Sequence, residues 1–393
     1  MSENPSSLSN WLAVAARARR EDGTDRVRQP LVQHGPAMVS LEGVPLVDFS
    51  SNNYLGLANH PALARAIGLG ANSHGTGSGA SALVTGYRGP HQALEAELAD
   101  FLGYERALLC ASGYHANLAA LTALCGRGDV IVQDRLCHAS LIDGARLSGA
   151  DLRRYPHVDM AGLEQQLGRG SRGHVLVVTD GVFSMDGDRA PLASITEAGQ
   201  RHNAWLLVDD AHGVGVSGPK GRGSVAAEGL GPEDVPVMVG TLGKAFGCAG
   251  AFIAGSAALV EHIVNHGRTY LFTTAMPPAL AEAARQALEL VRGDHWRREI
   301  LAERIGQFRQ GAKALELPVM DSESPIQPLL VGDSEKALAL SRRLLERGLL
   351  VAPIRPPTVR AGTARLRITL SAEHEETQVA ALLAALGEFM ESP

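Results

Sequence analysis

The sequence predicts an α/β protein in which a large, mostly parallel sheet domain is sandwiched by helices and followed by a smaller C-terminal α+β domain. Three observations carry this. The chain has 393 residues, which at roughly 150 residues per domain argues for two or three packed units. From about Ala107 apolar strand-like runs alternate with helical ones. After Met276-Pro277-Pro278 a long run rich in Ala, Leu, Glu and Arg leads into a different pattern.

Taken in order, Trp11, Leu12, Val14 and Ala15 recur at helical spacings with arginines behind them, so residues 8–22 read as a short amphipathic helix. Then come ALLCAS and HANLAALTAL, DVIVQD and HASLIDGARL, HVLVVTDGVF and ASITEAGQRH, and finally WLLVDDAHG and VPVMVGTLG. Strand, helix, strand at this spacing means parallel strands covered on both faces. The C-terminal part reads as PIQPLLVGD, the helix EKALALSRRLLERG, the run LLVAPIRPP, the strand TARLRITLS and the helix HEETQVAALLAALGEFM. Expected boundaries are 1–48 for an N-terminal helix and arm, 49–277 for the large domain and 278–393 for the small one. Glycine and proline gather at Gly75–Gly79 and Gly213–Gly223 as turn chemistry, and no repeat or low-complexity tract occurs.

Composition narrows the function. Hydrophobic residues make up 45% and charged residues 20%, as in a soluble enzyme and unlike a disordered chain. The formal net charge of -6 provides no basic excess for nucleic-acid phosphates or an anionic membrane. Cys110, Cys125, Cys137 and Cys248 form no C-x-x-C pair, so a reducing cytoplasm is expected. The start, through Asn4, Pro5, Ser6 and Ser7, lacks the pattern of a signal peptide, and no later segment reaches the roughly 18 apolar residues of a membrane span.

In parallel sheets ligands gather beyond the carboxyl ends of the strands. Ser112-Gly113-Tyr114, Asp134, Ser184, Asp209 with His212, and Thr241 with Lys244 all fall there. GTLGKAFG (240–247) is not a phosphate loop, because Ala245 stands where a hydroxyl is needed and Met238 where the first glycine belongs. His374-Glu375 has Gln378 in place of a second histidine, so no zinc helix forms, and no G-x-S-x-G elbow occurs. Lys244, flanked by Gly243 and Ala245 after an apolar strand, suits Schiff-base chemistry if desolvated; the competing reading is a solvated loop lysine. Asp209 closes WLLVDDAH, where a buried charge needs a cationic partner. A metal, a helix start, an arginine or a protonated pyridine nitrogen would each answer. His138 and His212 taken singly read as a helix start and a core histidine. Gly113 and Tyr114 open a helix whose free N–H groups suit a phosphate, with the Thr241 hydroxyl as a further donor. An aldehyde carbon, a ring nitrogen and a phosphate held on one rim are the three handles of pyridoxal phosphate.

The series SGYHAN (112–117), HASLIDGA (138–145), DGVFSMDGD (180–188), VDDAHGVG (208–215) and TLGKAFG (241–247) resembles the α-oxoamine synthase family of fold-type I pyridoxal-phosphate (PLP) enzymes. The resemblance extends to SSNNYLGL (50–57), GTGSGASALVTGYRGPHQALE (75–95), TTAMPP (273–278) and RPPTVRAGTARLRIT (355–369), nearly the whole chain. Asn53 departs from it, since the family usually has Asp there. The resemblance implies Lys244 as the cofactor-bound lysine and proton shuttle, Asp209 as partner of the pyridine nitrogen and His138 stacked on the ring. Ser184 and His212 would contact the phenolic oxygen, and Gly113, Tyr114 and Thr241 the phosphate. Thr273 and Thr274 would serve the phosphate of a second subunit, which implies an obligate homodimer. Arg367, with Asn52, would bind the amino-acid carboxylate, while Arg26 and Arg355 would serve the acyl side or a mobile role. RPPTV with AGTARLR, and SPIQPLLVGD (324–333), point to the member that joins L-alanine to a pimeloyl thioester, carried by coenzyme A or acyl carrier protein, in biotin biosynthesis. Two alternatives stand beside it: a sibling that uses glycine or serine, and a non-enzymatic subunit, against which Lys244, Asp209 and His138 argue together.

Overall fold

The computed structural model describes residues 7–22 and 24–391. Asn4, Pro5 and Ser6, which entered the reading against a signal peptide, lie outside the described residues. Two compact units form, one of Asn52–Ala302 and the other of Met1–Ser51 with Glu303–Pro393. These divisions differ from the boundaries expected at 48 and 277, for two physical reasons. The helix Pro278–Gly293 buries Ala281, Ala284, Ala287, Leu288 and Val291 along one stripe and packs on the helices Pro61–His74 and Gly89–Leu102 of the large unit. Gly70 permits that approach, since a Cβ there would lie 2.9 Å from the Ala279 Cα. The N-terminal arm in turn gives its strand Val44–Asp48 to a parallel pairing with Leu349–Leu350. It therefore belongs with the C-terminal residues.

The large unit is built on seven strands in the order Arg106–Cys110, Ala251–Gly255, Val237–Thr241, Trp205–Asp209, Val175–Asp180, Val130–Asp134 and Asp151–Tyr155. Five neighbours pair in parallel, and Ala251–Gly255 runs antiparallel to both strands beside it. The apolar runs are continuous because both faces are covered: Val177 and Val208 are as deeply buried as Val178 and Leu207. On one face Ala116, Ala119, Ala120 and Leu121 of the helix Gly113–Leu124 pack with Leu141 and Ala145 of the helix Ala139–Ser148 and with Leu176, Val239 and Ile253 of the strands. The two strands that the apolar runs did not announce are Asp151–Tyr155, too polar to read as one, and Ala251–Gly255, the antiparallel insertion.

The small unit holds a three-stranded antiparallel sheet in the order Ile326–Gly332, Ala364–Thr369, Ala352–Ile354. A second sheet joins Val32–Gly35, Met38–Leu41, Val44–Asp48 and Leu349–Leu350. The expected helices are present as Leu8–Glu21, Ser334–Glu346 and Glu376–Glu391. Among the described residues no helix is long and apolar enough to cross a membrane.

Candidate active site

Strand register brings the chemistry to one rim. Trp205–Asp209 pairs with Val175–Asp180 so that Asp209 faces Asp180, and with Val237–Thr241 on its other side. The loop after Thr241 carries Lys244. Gly247 closes that loop at φ +64°, where a Cβ would lie 2.3 Å from the Ala58 nitrogen. Only glycine lets the lysine loop rest against the segment that carries Asn52 and Tyr54.

Lys244 is half-buried, and its Nζ lies 2.8 Å from Nε2 of His212. His212 is buried, and its Nδ1 lies 2.6 Å from the Tyr54 hydroxyl. That hydroxyl donates to Oδ1 of Asn52 at 3.1 Å. Lysine, imidazole, phenol and amide thus form one hydrogen-bonded line.

A second line starts at Asp209, which is 6% exposed. Its Oδ2 accepts from Asn117 Nδ2 at 2.6 Å, and its Oδ1 from the Ala211 N–H at 3.0 Å. Asn117 Nδ2 also donates to Ser140 Oγ at 2.8 Å. Ser140 Oγ lies 2.7 Å from His138 Nδ1, which also accepts from the Ser140 N–H at 3.3 Å. Nδ1 is therefore the acceptor, and the proton of the neutral ring sits on Nε2. His138 caps the helix Ala139–Ser148, and its own N–H donates to Asp180 Oδ2 at 2.9 Å. Its residue surface is exposed, as a ring offered to a ligand must be. The basicity of the ring is lowered first by desolvation, with Lys244 in the same sense and Asp209 and Asp143 against.

Three carboxyls, Asp180, Asp209 and Asp210, crowd this strand end. Burial, then the charge of Asp209, pushes Asp180 well above the usual carboxylate range. Burial also pushes Asp210 up to about 7, against hydrogen bonds from Ser224. Asp209 is anchored by two donors, the Asn117 amide and the Ala211 N–H, both uncharged.

The remaining predicted residues lie as follows. Gly113 opens the helix Gly113–Leu124 behind the Ser112 cap, which accepts from the His115 N–H at 3.3 Å. Tyr114 is exposed, with its hydroxyl held by Asp143. Ser184 is half-buried in the loop after Val175–Asp180. Thr241 Oγ1 accepts from the Gly243 N–H at 3.2 Å and donates to the Gly250 carbonyl at 3.1 Å, so its proton is committed within its own loop. Thr274 is bridged to Ser81, and the next residue, Ala275, donates its N–H to the Ala80 carbonyl, which fixes the segment that carries Thr273. In the small unit, Arg26 donates to Thr358 Oγ1 at 3.0 Å and Arg355 to the Asp25 carbonyl at 2.8 Å. Arg367 is buried there and donates to Thr369 Oγ1 at 2.9 Å. Asp134 sits on the same rim but serves His157, at 3.0 Å.

Sequence reasoning missed Tyr54, Asn117, Ser140 and Asp180. Each stands inside a motif already singled out, two to four residues from an assigned residue; a tyrosine, an asparagine or a serine announces no chemistry of its own, and Asp180 was passed over in favour of Ser184 in the same motif.

A lysine amine beside an imidazole, a buried carboxylate one strand away and an exposed ring over a helix start define a PLP-dependent transferase. Residues 44–386 match the family model for aminotransferase class I and II. The chain is 55% identical over 383 residues, 97% of either chain, to the 8-amino-7-oxononanoate synthase of Pseudomonas fluorescens strain Pf-5. Among solved structures it is similar to a serine palmitoyltransferase of S. paucimobilis with a bound PLP–myriocin aldimine, at 29% identity and TM-score 0.91 over 98% of this chain and 97% of that one. It is also similar to the 8-amino-7-oxononanoate synthase of Francisella tularensis, at 31% identity and TM-score 0.78 over 88% of this chain and 98% of that one. The chain thus belongs to the class I and II aminotransferase family, and within it to the 8-amino-7-oxononanoate synthases.

Proposed function

We infer that this chain condenses L-alanine with a pimeloyl thioester, releasing carbon dioxide and the free thiol carrier to give 8-amino-7-oxononanoate in biotin biosynthesis. The observation that carries the reading is Lys244 Nζ at 2.8 Å from His212, on the loop after the strand beside Asp209. The residues fit PLP. Asp209 is a buried carboxylate whose donors are all neutral, so a protonated ring nitrogen is the cation it calls for. A Cβ at Gly113 would meet nothing within 4 Å, so the helix start is open to a phosphate.

When bound, PLP supplies an electron sink for the charge left at the α-carbon of the amino acid. Lys244, Asp209, His138, Ser184 and His212 would hold its aldehyde, ring and phenolic oxygen, and Gly113 and Tyr114 its phosphate, which Thr241 would join by turning its hydroxyl from the Gly250 carbonyl. Thr273 and Thr274 would reach the phosphate of a second copy, which makes the working form a homodimer. Arg367 and Asn52 would orient the carboxylate of alanine, with Arg26 and Arg355 on the acyl side. Lys244 then takes the α-proton at Nζ. Asp209, fixed by Asn117, maintains the positive charge opposite it that favours this step. After decarboxylation Lys244 returns a proton to the same carbon. Four cysteines without disulfides agree with a cytoplasmic setting.

The test is thiol release by the PLP-loaded protein given pimeloyl-CoA and one amino acid at a time. Release that depends on L-alanine supports the reading. Release with serine or glycine alone would move the chain to the sibling activity that the likeness to serine palmitoyltransferase favours.

A further inference from the structure

Tyr54 is, with Tyr155, one of the two largest fully buried side chains among the described residues, and the function proposed above gives it no task. A buried phenol needs a partner for its hydroxyl, and this one has two. Asn52 Oδ1, at 3.1 Å, only accepts, so the single hydroxyl proton goes there. The oxygen then presents a lone pair to His212 Nδ1 at 2.6 Å. Nδ1 must therefore carry the proton of a neutral imidazole, which leaves Nε2 as an acceptor 2.8 Å from Lys244 Nζ. The opposite tautomer would set a ring N–H against an ammonium group that has only donors.

We propose that Tyr54 is a positioning residue for the reaction: its hydroxyl, oriented by Asn52, holds His212 in the Nδ1–H tautomer so that Nε2 receives Lys244. The inference rests on Lys244 being the reactive amine of the proposed function. It gives that amine a fixed resting place and a defined acceptor when it carries a proton. Gly247 supports the arrangement by letting the lysine loop lie against the chain just after Tyr54.

The test reads the tautomer directly. Full-length protein labelled with 15N-histidine, free of cofactor, is studied by long-range 1H–15N correlation, with the His212 signals identified by their loss in His212→Asn. The expected wild-type pattern is Nδ1–H. Tyr54→Phe is expected to shift it toward Nε2–H, and in the PLP-loaded enzyme to lower kcat with alanine about tenfold while KM stays within about twofold, the size of one lost hydrogen bond. Nε2–H in the wild type, or an unchanged tautomer in a folded Tyr54→Phe protein, overturns the proposal. Should Tyr54→Phe not fold, Asn52→Ala serves instead: without its acceptor the hydroxyl donates to Nδ1, so the tautomer should reverse, and no reversal overturns the proposal equally. Failure of the proposed function would appear separately, as a wild type inactive with every amino acid, because the tautomer is read without any reaction.

Discussion

His157 in the large unit and His374 in the small one are both well-packed histidines with both ring nitrogens engaged, yet folding drives them in opposite directions. His157 lies between two carboxylates, with Nδ1 3.0 Å from Asp134 and Nε2 2.8 Å from Asp188. Desolvation opposes charge on its ring, but the hydrogen bonds and charges of Asp134 and Asp188 outweigh it and push the pKa up to about 10. His374 stacks on Phe49 at 4.2 Å and meets only backbone, accepting from the Ser371 N–H at 2.9 Å and donating to the Asp48 carbonyl at 3.2 Å. Desolvation therefore prevails and takes it down to about 4. The chemistry of the partners, more than burial, decides whether a histidine is a cation or a neutral ring. His212, by contrast, has a phenol at Nδ1 and an amine at Nε2, whereas His157 is clamped between two carboxylates.

The sharpest way to break this contrast is to remove the working amine and the locked ring in turn. Lys244→Ala should lower alanine-dependent turnover by about 1,000-fold or more, since under the proposed function it deletes both the covalent attachment and the proton carrier. Its melting temperature should match wild type. His157→Ala should do the reverse: it leaves Asp134, 1% exposed, beside Asp188 without a cation, and should cost about 3 kcal/mol in denaturant unfolding, while kcat per folded molecule is unchanged. A His157→Ala protein with normal stability would show that the clamp is ornamental.

A smaller effect separates the two lines within the site. Asn117→Ala removes the amide that joins Asp209 to Ser140 and so to His138. Loss of a buried hydrogen bond to a charged group costs about 1.5–3 kcal/mol, or about 10–100-fold in turnover, and the absorbance of the bound PLP should shift because Asp209 is no longer held. Unchanged kinetics and spectrum would mean that the Ala211 N–H alone suffices.

Legibility in the sequence followed the same physics. The runs DVIVQD, HVLVVTDGVF and WLLVDDAHG were readable because both faces of the sheet are buried, so apolar residues fill consecutive positions in VIV, VLVV and WLLV. DLRRY was not, since Asp151 and Arg154 are exposed on the edge strand. Lys244 and Asp209 drew notice as ionisable residues at the ends of apolar runs, and His138 and His212, ordinary when taken singly, did so because they fall on the same rim. Tyr54 and Asn117 did not, because a tyrosine or an asparagine in a sequence is ordinary until register and loop closure place it against an ionisable partner. The place of the Ala-rich helix Pro278–Gly293 was not legible for a related reason: its composition is the same whichever unit it packs on, and its close approach at Gly70 shows only in the fold.

The finest test of the contrast between His157 and His374 is the shape of stability against pH. His157 has a folded pKa of about 10 against an ordinary 6.5. Below 6.5 both folded and unfolded chains hold the proton and its contribution is complete; above 6.5 the folded chain alone holds it, so stability falls as pH rises and the contribution is gone past about 10. His374, at about 4 against 6.5, has the opposite sign. Above 6.5 neither state is protonated and its contribution is complete; as pH falls from 6.5 to about 4 only the unfolded chain takes the proton, so stability is lost on the acid side. Each limb should have a slope of at most about 1.4 kcal/mol per pH unit. Denaturation midpoints followed from about pH 5 to about pH 9 should lose the alkaline limb alone in His157→Gln and the acid limb alone in His374→Phe. If His157→Gln instead flattened the acid limb, the clamp between Asp134 and Asp188 would not be the imidazolium that its two carboxylates require.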